Sequence, residues 1–351
     1  MRVLWLRPSK GDNISVRRQR IASHLAAHGV EADIVDVTGL DAVDGIRTAL
    51  LGDYDVILGN VRMGLYLGYP LARLLGLPFV GDVSDPITDI DDLPGPIFKL
   101  LEWYEWQVLS RADYCVFTYQ STFEEAEERE IAGSNLPNAV DYETFSDPDP
   151  AAVEEAVDIL DDSGVDWTRP IAIYIGGFSP EYHIEDILDA ARQTPQWNFV
   201  FVGMGEQREL VEDAAASVEN VFYPGAFEYS LMPGFLAHAE VGFCFKDAEQ
   251  PLKISEYGAA GLVAIAQPGE LSKRFADDEV YFVDPSGDAI RDALTAIADD
   301  TATAERFCEN LQSRAREVSW QEVADQYYRI LCTLTSTVGD RETIVRGGES
   351  R

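Results

Sequence analysis

Along most of the chain, short apolar runs alternate with longer polar segments in which apolar residues return every three or four positions. The runs at 2–6, 56–59, 79–83, 114–118, 171–175, 198–202, 220–224 and 262–266 are largely continuous rather than alternating. Strands covered on both faces have that pattern, because a parallel sheet carries helices on either side. Residues 32–37 read as a further strand. Between the runs, 15–28 places Ile21 and Leu25 on one helical face and stops at Gly29, and 65–75 repeats the helical period. Residues 96–112 carry Ile97, Phe98, Leu100, Leu101, Trp103, Trp106 and Leu109. Such a stripe is expected in a core; a peripheral membrane contact is the open alternative, since Trp and Lys suit an interface. The alternation predicts an α/β fold of doubly wound, Rossmann-like parallel sheets.

Pro and Asp crowd 146–150, as in a linker. The expected division is therefore 1–147 and 148–318, two domains of ordinary size in 351 residues. A helix is expected at 319–334, where Ser319 and Glu322 have capping-box spacing. Apolar periodicity is lost from about residue 335, which predicts a loose tail to 351.

Charge changes the picture. The chain has 62 acidic and 27 basic residues, a net charge of −35, with Lys only at 10, 99, 246, 253 and 273. The acids are spread through the chain, so an acidic tail does not explain them. The balance looks like that of a protein from a salt-in halophile, where ions screen the self-repulsion. Nucleic acid is not an expected partner, because affinity there comes from Lys and Arg on phosphates. Cys115, Cys244, Cys308 and Cys332 form no metal or redox spacing and are expected as reduced packing residues. Met1 leads directly into the first strand, and no apolar run approaches the ~18 residues of a membrane span. A cytoplasmic location is expected.

Candidate chemistry concentrates in Pro251–Ala266, PLKISEYGAAGLVAIA. Pro251 suits a first helical turn, Gly261 a left-handed stop, and 262–266 a buried strand. Bare N–H groups and the dipole at the helix start, with Lys253, suit a diphosphate. Glu256, one turn in, suits ribose hydroxyls. The bland alternative is an ordinary helix–strand unit. Arg17, Arg18 and Arg20 crowd the first predicted helix; they read as a solvated face or as a site for an anionic acceptor. Asp82 and Asp85 follow a strand end, where α/β sheets bind ligands. They read as an acceptor-side base or as turn caps before Pro86.

These segments, taken in order, resemble the GT-B glycosyltransferases, above all glycosyltransferase family 4. Asn138-Ala139-Val140-Asp141 is similar to the segment that closes the family's first domain, with Ala139 for its Gly. Gly176-Gly177-Phe178-Ser179-Pro180-Glu181 is similar to its Gly-Arg-x-Ser-x-Glu turn, with Gly177 and Tyr182 in place of Arg and Lys. Val202-Gly203-Met204-Gly205 with Leu210, residues 229–241, Ser319-Trp320 with Ala324 and Tyr327, and above all Glu256-Tyr257-Gly258-Ala259-Ala260-Gly261 fit the same frame.

The resemblance implies two Rossmann-like domains facing a cleft, the helix at 319–334 crossing back to the first. It implies transfer of a sugar from a nucleotide-sugar to an acceptor hydroxyl without cofactor or metal, in cell-surface glycan or glycoprotein synthesis. Donor-binding residues would be Gly176, Gly177, His183, Gly203, Gly205, Phe227, Pro251, Leu252, Lys253 and Glu256. Asp82, Asp85 and Glu249 would be catalytic candidates, Glu249 standing beside Ala248, which occupies the family's first Glu position. Lys10, Arg17 and Arg18 would lie on the acceptor side, where a glycan or lipid-linked acceptor would bind at the inner membrane face. The missing Arg, Lys and Glu leave two alternatives open: a GT-B nucleotide-sugar epimerase, and a non-catalytic nucleotide-sugar-binding homologue.

Overall fold

A computed structural model describes residues 1–8, 16–85, 95–249 and 251–347, without the side chains of residue 16 and of 337–347. Contacts divide the chain into two units, Met1–Asn138 with Trp320–Arg351, and Ala139–Ser319.

Unit 1 runs β1 (Arg2–Arg7), α1 (Val16–Ala27), β2 (Glu31–Asp36), α2 (Asp41–Leu51), β3 (Val56–Asn60), α3 (Met63–Leu75), β4 (Phe79–Val83), α4 (Gly95–Leu109), β5 (Tyr114–Phe117), α5 (Gln120–Glu128) and β6 (Gly133–Asn135). Its sheet is parallel, in the order β2-β1-β3-β4-β5-β6. β3 and β4 are buried at every position, as expected of strands between helical layers. Gly29 adopts φ 73° and ends α1 in the left-handed conformation. The α4 stripe departs from expectation. Trp106, Val108 and Leu109 are buried, but Ile97, Leu100 and Trp103 are exposed.

Unit 2 runs α6 (Tyr142–Ser146), α7 (Pro150–Asp162), β7 (Ile171–Gly177), α8 (Ile184–Gln193), β8 (Asn198–Met204), α9 (Arg208–Ser217), β9 (Val221–Gly225), α10 (Met232–Leu236), β10 (Val241–Cys244), α11 (Leu252–Ala259), β11 (Val263–Ala266), β12 (Tyr281–Phe282), α12 (Gly287–Asp299) and α13 (Thr301–Glu317). Its sheet order is β12-β11-β10-β7-β8-β9, again parallel. One apolar cluster includes Ile173, Val200 and Tyr257, and a second includes Ala172, Phe199 and Phe243. Neighbouring residues along β7 and β8 thus enter different clusters, as alternation across a two-faced sheet requires.

The residues expected as a linker, 146–150, instead end α6 and start α7. Asp149 caps α7, its Oδ1 accepting from the Ala151 N–H at 2.9 Å, and Pro150 takes the first position, where no N–H is needed. α14 (Trp320–Gly347) joins unit 1 through α1 and continues past residue 335, where the loss of apolar period predicts a loose tail. Among the described residues, no helix is long and apolar enough to cross a membrane.

Candidate functional site

The order of unit 2 reverses between β7 and β10, and ligands of open α/β sheets bind beyond the carboxyl ends of strands at such a point. β7 ends there in Gly176-Gly177, followed by a turn through Pro180–Tyr182. The segment after β10 carries Lys246 and leads into α11, whose first turn carries Lys253.

Lys253 lies across Gly176. A Cβ at Gly176 would sit 2.7 Å from Lys253 Cε and 2.8 Å from Nζ, and the backbone there has φ +136°. The φ favours glycine, and a side chain there would push the end of Lys253 aside. The ammonium donates to the Tyr174 hydroxyl at 2.8 Å, which donates onward to the Gly177 carbonyl at 2.5 Å. It also stands 4.0 Å from the Tyr174 ring centroid and 4.2 Å from that of Tyr182. Burial pushes its pKa down to about 8, with Lys246 adding to the push and Cys244 and Glu256 opposing it. The cation is thus held by a phenol and two rings, and a dianion here would neutralise it. Gly176→Ala is expected to cost about 1–3 kcal/mol of stability through backbone strain. It should also weaken anion binding by displacing Lys253. Paired melting and UDP titration check it; tight UDP binding by the variant would contradict the placement.

Glu256 is buried one turn further on. Its Oε1 accepts from the Tyr229 hydroxyl at 2.6 Å. Burial raises its pKa, opposed by Tyr229 and Lys253. Pro251 is the residue before α11, at φ −73° and ψ 123°, and Leu252 is exposed at the first helical position. The expected stop at Gly261 is present, with φ +78°.

The other glycines differ from expectation. Gly203 is needed by the chain itself, since its Cβ would fall 1.9 Å from the Gly176 carbonyl oxygen. Gly205 would collide with the Phe178 backbone at 2.5 Å. Packing within the unit alone therefore accounts for the lack of a side chain at both positions. Gly177 is exposed and would admit a Cβ, the nearest atom being Tyr182 Cε2 at 3.7 Å. His183 caps α8 at φ 55°, its Nδ1 3.0 Å from Asp186. Phe227 is half-buried, 5.3 Å from the Phe235 ring. The Glu249 carbonyl accepts from Arg274 at 2.7 Å, which ties the segment before α11 to the body of the unit.

In unit 1, Asp82 is fully buried. Its Oδ2 accepts from Trp5 Nε1 at 3.1 Å and Asn60 Nδ2 at 3.2 Å, and its Oδ1 from the Tyr327 hydroxyl of α14 at 3.0 Å. Both oxygens accept hydrogen bonds from within the protein, which argues against an open base here. Arg17 and Arg18 lie neither on a solvated face nor in an open anion site. Arg17 donates to the carbonyls of Leu136 at 2.7 Å and Pro137 at 2.8 Å. Arg18 is 1% exposed and 3.4 Å from Ser84 Oγ. Burial lowers its pKa, and the Asp82 charge opposes that. Asp85 is half-buried, while Lys10 and Pro86 lie outside the described residues.

Sequence reasoning missed several groups here. Glu105 on α4 is buried, accepts from the Tyr66 hydroxyl at 3.1 Å, and is pushed by burial up to about 7. Nothing in its pattern separates it from a helix-surface acid. Arg274 is held down to about 10, first by burial and then by Arg314. Tyr174, Tyr229 and Lys246 reach the unit 2 site from separate strands and loops. Only Lys246 had a visible signal, as one of five Lys in so acidic a chain.

Residues 158–316 match the family model of glycosyl transferases group 1. Among curated proteins, TuaH of Bacillus subtilis, provisionally named a teichuronic acid biosynthesis glycosyltransferase, is 26% identical over 175 residues. That match spans 46% of this chain and 42% of TuaH, less than half of either. Among solved structures, Anabaena HepE in complex with UDP aligns with a TM-score of 0.73 at 15% identity, covering 95% of this chain and 100% of that one. Sucrose-phosphate synthase from Thermosynechococcus elongatus aligns at 0.70 and 17% identity, over 96% and 99%. The UDP-GlcNAc 2-epimerase of Neisseria meningitidis, bound to UDP-GlcNAc, aligns at 0.65 and 12% identity, over 95% and 100%. The fold is thus the two-unit α/β architecture of GT-B enzymes.

Proposed function

We propose that the protein is a glycosyltransferase that moves a sugar from a nucleotide-sugar to an acceptor hydroxyl, in the assembly of a cell-surface glycan or glycoprotein. One observation carries the reading: the Lys253 ammonium, laid across Gly176 at the switch point of a unit that matches the group 1 domain. In this reading Lys253 and the bare N–H groups at the start of α11 hold the donor diphosphate as it leaves. A fixed positive charge does there what a divalent ion does in other phosphate chemistry. Glu256 takes a ribose hydroxyl, sharing its carboxyl with Tyr229. Glu249 and Asp85 remain the candidates for the reacting sugar and the acceptor. The exposed Ile97, Leu100 and Trp103 of α4 suit an acceptor carried on a lipid, with the enzyme working at the cytoplasmic face of the membrane.

The test is a melting panel with UDP, GDP, ADP and their sugars in molar KCl, chosen because the acid excess suits a salt-rich cytoplasm. A ligand at about 100 times its Kd should add roughly 2.7 kcal/mol. Nucleoside diphosphate released only with an acceptor supports transfer. Release of a changed free sugar without acceptor would favour an epimerase, and no shift with any nucleotide would remove the donor site.

A further inference from the structure

The unit 2 site holds a second cation. Lys246 follows β10, and its Nζ stands 5.1 Å from the centroid of the Tyr182 ring, the same ring that Lys253 approaches at 4.2 Å. Two of the chain's five Lys, both from the chain after β10, therefore gather on one aromatic side chain from the turn after the adjacent β7. Two ammonium groups repel each other, and a ring face offsets only part of that. The carboxylate near Lys246 is Glu181, at 3.7 Å, and both side chains are substantially exposed. A loose ion pair in that setting contributes little and exchanges readily.

We propose that Lys246 is a second diphosphate-binding residue, presented with Lys253 around Tyr182, and that Glu181 is an internal counter-ion which the diphosphate displaces. The inference rests on the donor reading above and adds to it. Tyr182 then has a definite role: it stands where the family resemblance expects a cation, and it gathers two cations contributed by other segments. A mobile diphosphate needs more than one positive group, since Lys offers a point charge and not the fork of Arg. The neighbours that bear on the two cations are Glu181 on the turn after β7, Tyr174 on β7, Cys244 on β10 and Glu256 on α11.

Calorimetric titration of wild type, Lys246→Ala, Lys246→Arg, Glu181→Gln and Lys253→Ala with UDP, uridine and inorganic pyrophosphate tests this, GDP or ADP replacing UDP if the melting panel selects another base. Lys246→Ala should weaken the nucleoside diphosphate and pyrophosphate by about tenfold and leave the nucleoside unchanged. Lys246→Arg should restore most of the loss, and Glu181→Gln should tighten the diphosphate by about threefold. Unaltered diphosphate binding by Lys246→Ala, alongside a loss in Lys253→Ala, overturns the role of Lys246 and leaves the donor site standing. A wild type that binds neither nucleoside diphosphate nor pyrophosphate overturns the donor reading and this one with it. An equal loss for uridine in Lys246→Ala would mark a general distortion and also overturns it.

Discussion

Lys253→Ala is expected to lower kcat/KM for the nucleotide-sugar by about 10²–10³-fold, the scale seen when one preorganised electrostatic donor is removed from a reacting centre. The ammonium is half-buried, oriented by the Tyr174 hydroxyl and two rings, and aimed over the Gly176 backbone. Water filling its place would reproduce neither the charge nor its orientation. Stability should move little or upward, because the cation removed is one whose charge burial already disfavours. A melting temperature that holds while turnover collapses is therefore the signature. Loss of both together would make Lys253 a structural residue. Lys253→Arg should rescue poorly, since a planar guanidinium does not reproduce a compact ammonium seated between the Tyr174 hydroxyl and two rings.

The depressed lysine also sets a pH profile. A bound diphosphate favours the charged form, so above pH 8 binding must take up a proton, and donor affinity should fall there by up to about tenfold per pH unit. For the free fold the sign is reversed. The unfolded chain keeps this proton up to the ordinary lysine value of 10.5, the folded chain only to about 8. Between those values the unfolded state holds more protons, and this group's contribution to stability rises with pH. UDP titrations at several pH values, on wild type and Lys253→Ala, isolate the effect.

Asp82→Ala is the largest expected change in stability, about 3–5 kcal/mol, because it removes a charge that favours the buried, charged Arg18 and an acceptor from three donors. Denaturant titration in molar KCl reads this directly. A variant with unaltered stability and no turnover would restore Asp82 as the acceptor base. The structure argues otherwise, since the carboxylate is sealed by Trp5, Asn60 and Tyr327.

The strand–helix alternation was legible because buried parallel strands favour unbroken apolar runs, as 171–175 and 262–266 have. Gly29 and Gly261 were legible as stops because few other residues adopt a positive φ. α2, β6 and α7 were less so. Leu40, Val43, Leu50 and Leu51 at and within α2 are exposed, so its larger apolar residues mostly miss the core face that Ile46 and Ala49 form, and β6 spans only Gly133–Asn135. α7 begins on Asp149-Pro150, a pair that serves equally as a turn. In the site, Lys253 and Glu256 announce themselves by local spacing on one helix. Lys246, Tyr174 and Tyr229 do not, because what unites them is tertiary approach from different segments. Arg17 and Arg18 show the opposite failure. A cluster of like charges says nothing about whether carbonyls of Leu136 and Pro137, far along the chain, will enclose it.

Unit 1 is also discontinuous, and this bears on the order of events during synthesis. The sheet from β1 to β6 leaves the ribosome early, yet Trp320, which lies 5.8 Å from the Arg17 guanidinium, and Tyr327, which seals Asp82, emerge only after all of unit 2. Unit 2 is one unbroken stretch and can close as soon as it is made, whereas the first-made half must wait with a buried aspartate still wet. Domains generally fold as units while the chain grows. Here the unit made first should finish last, and nascent chains stalled before Trp320 should show a protease-resistant second half attached to a sensitive first.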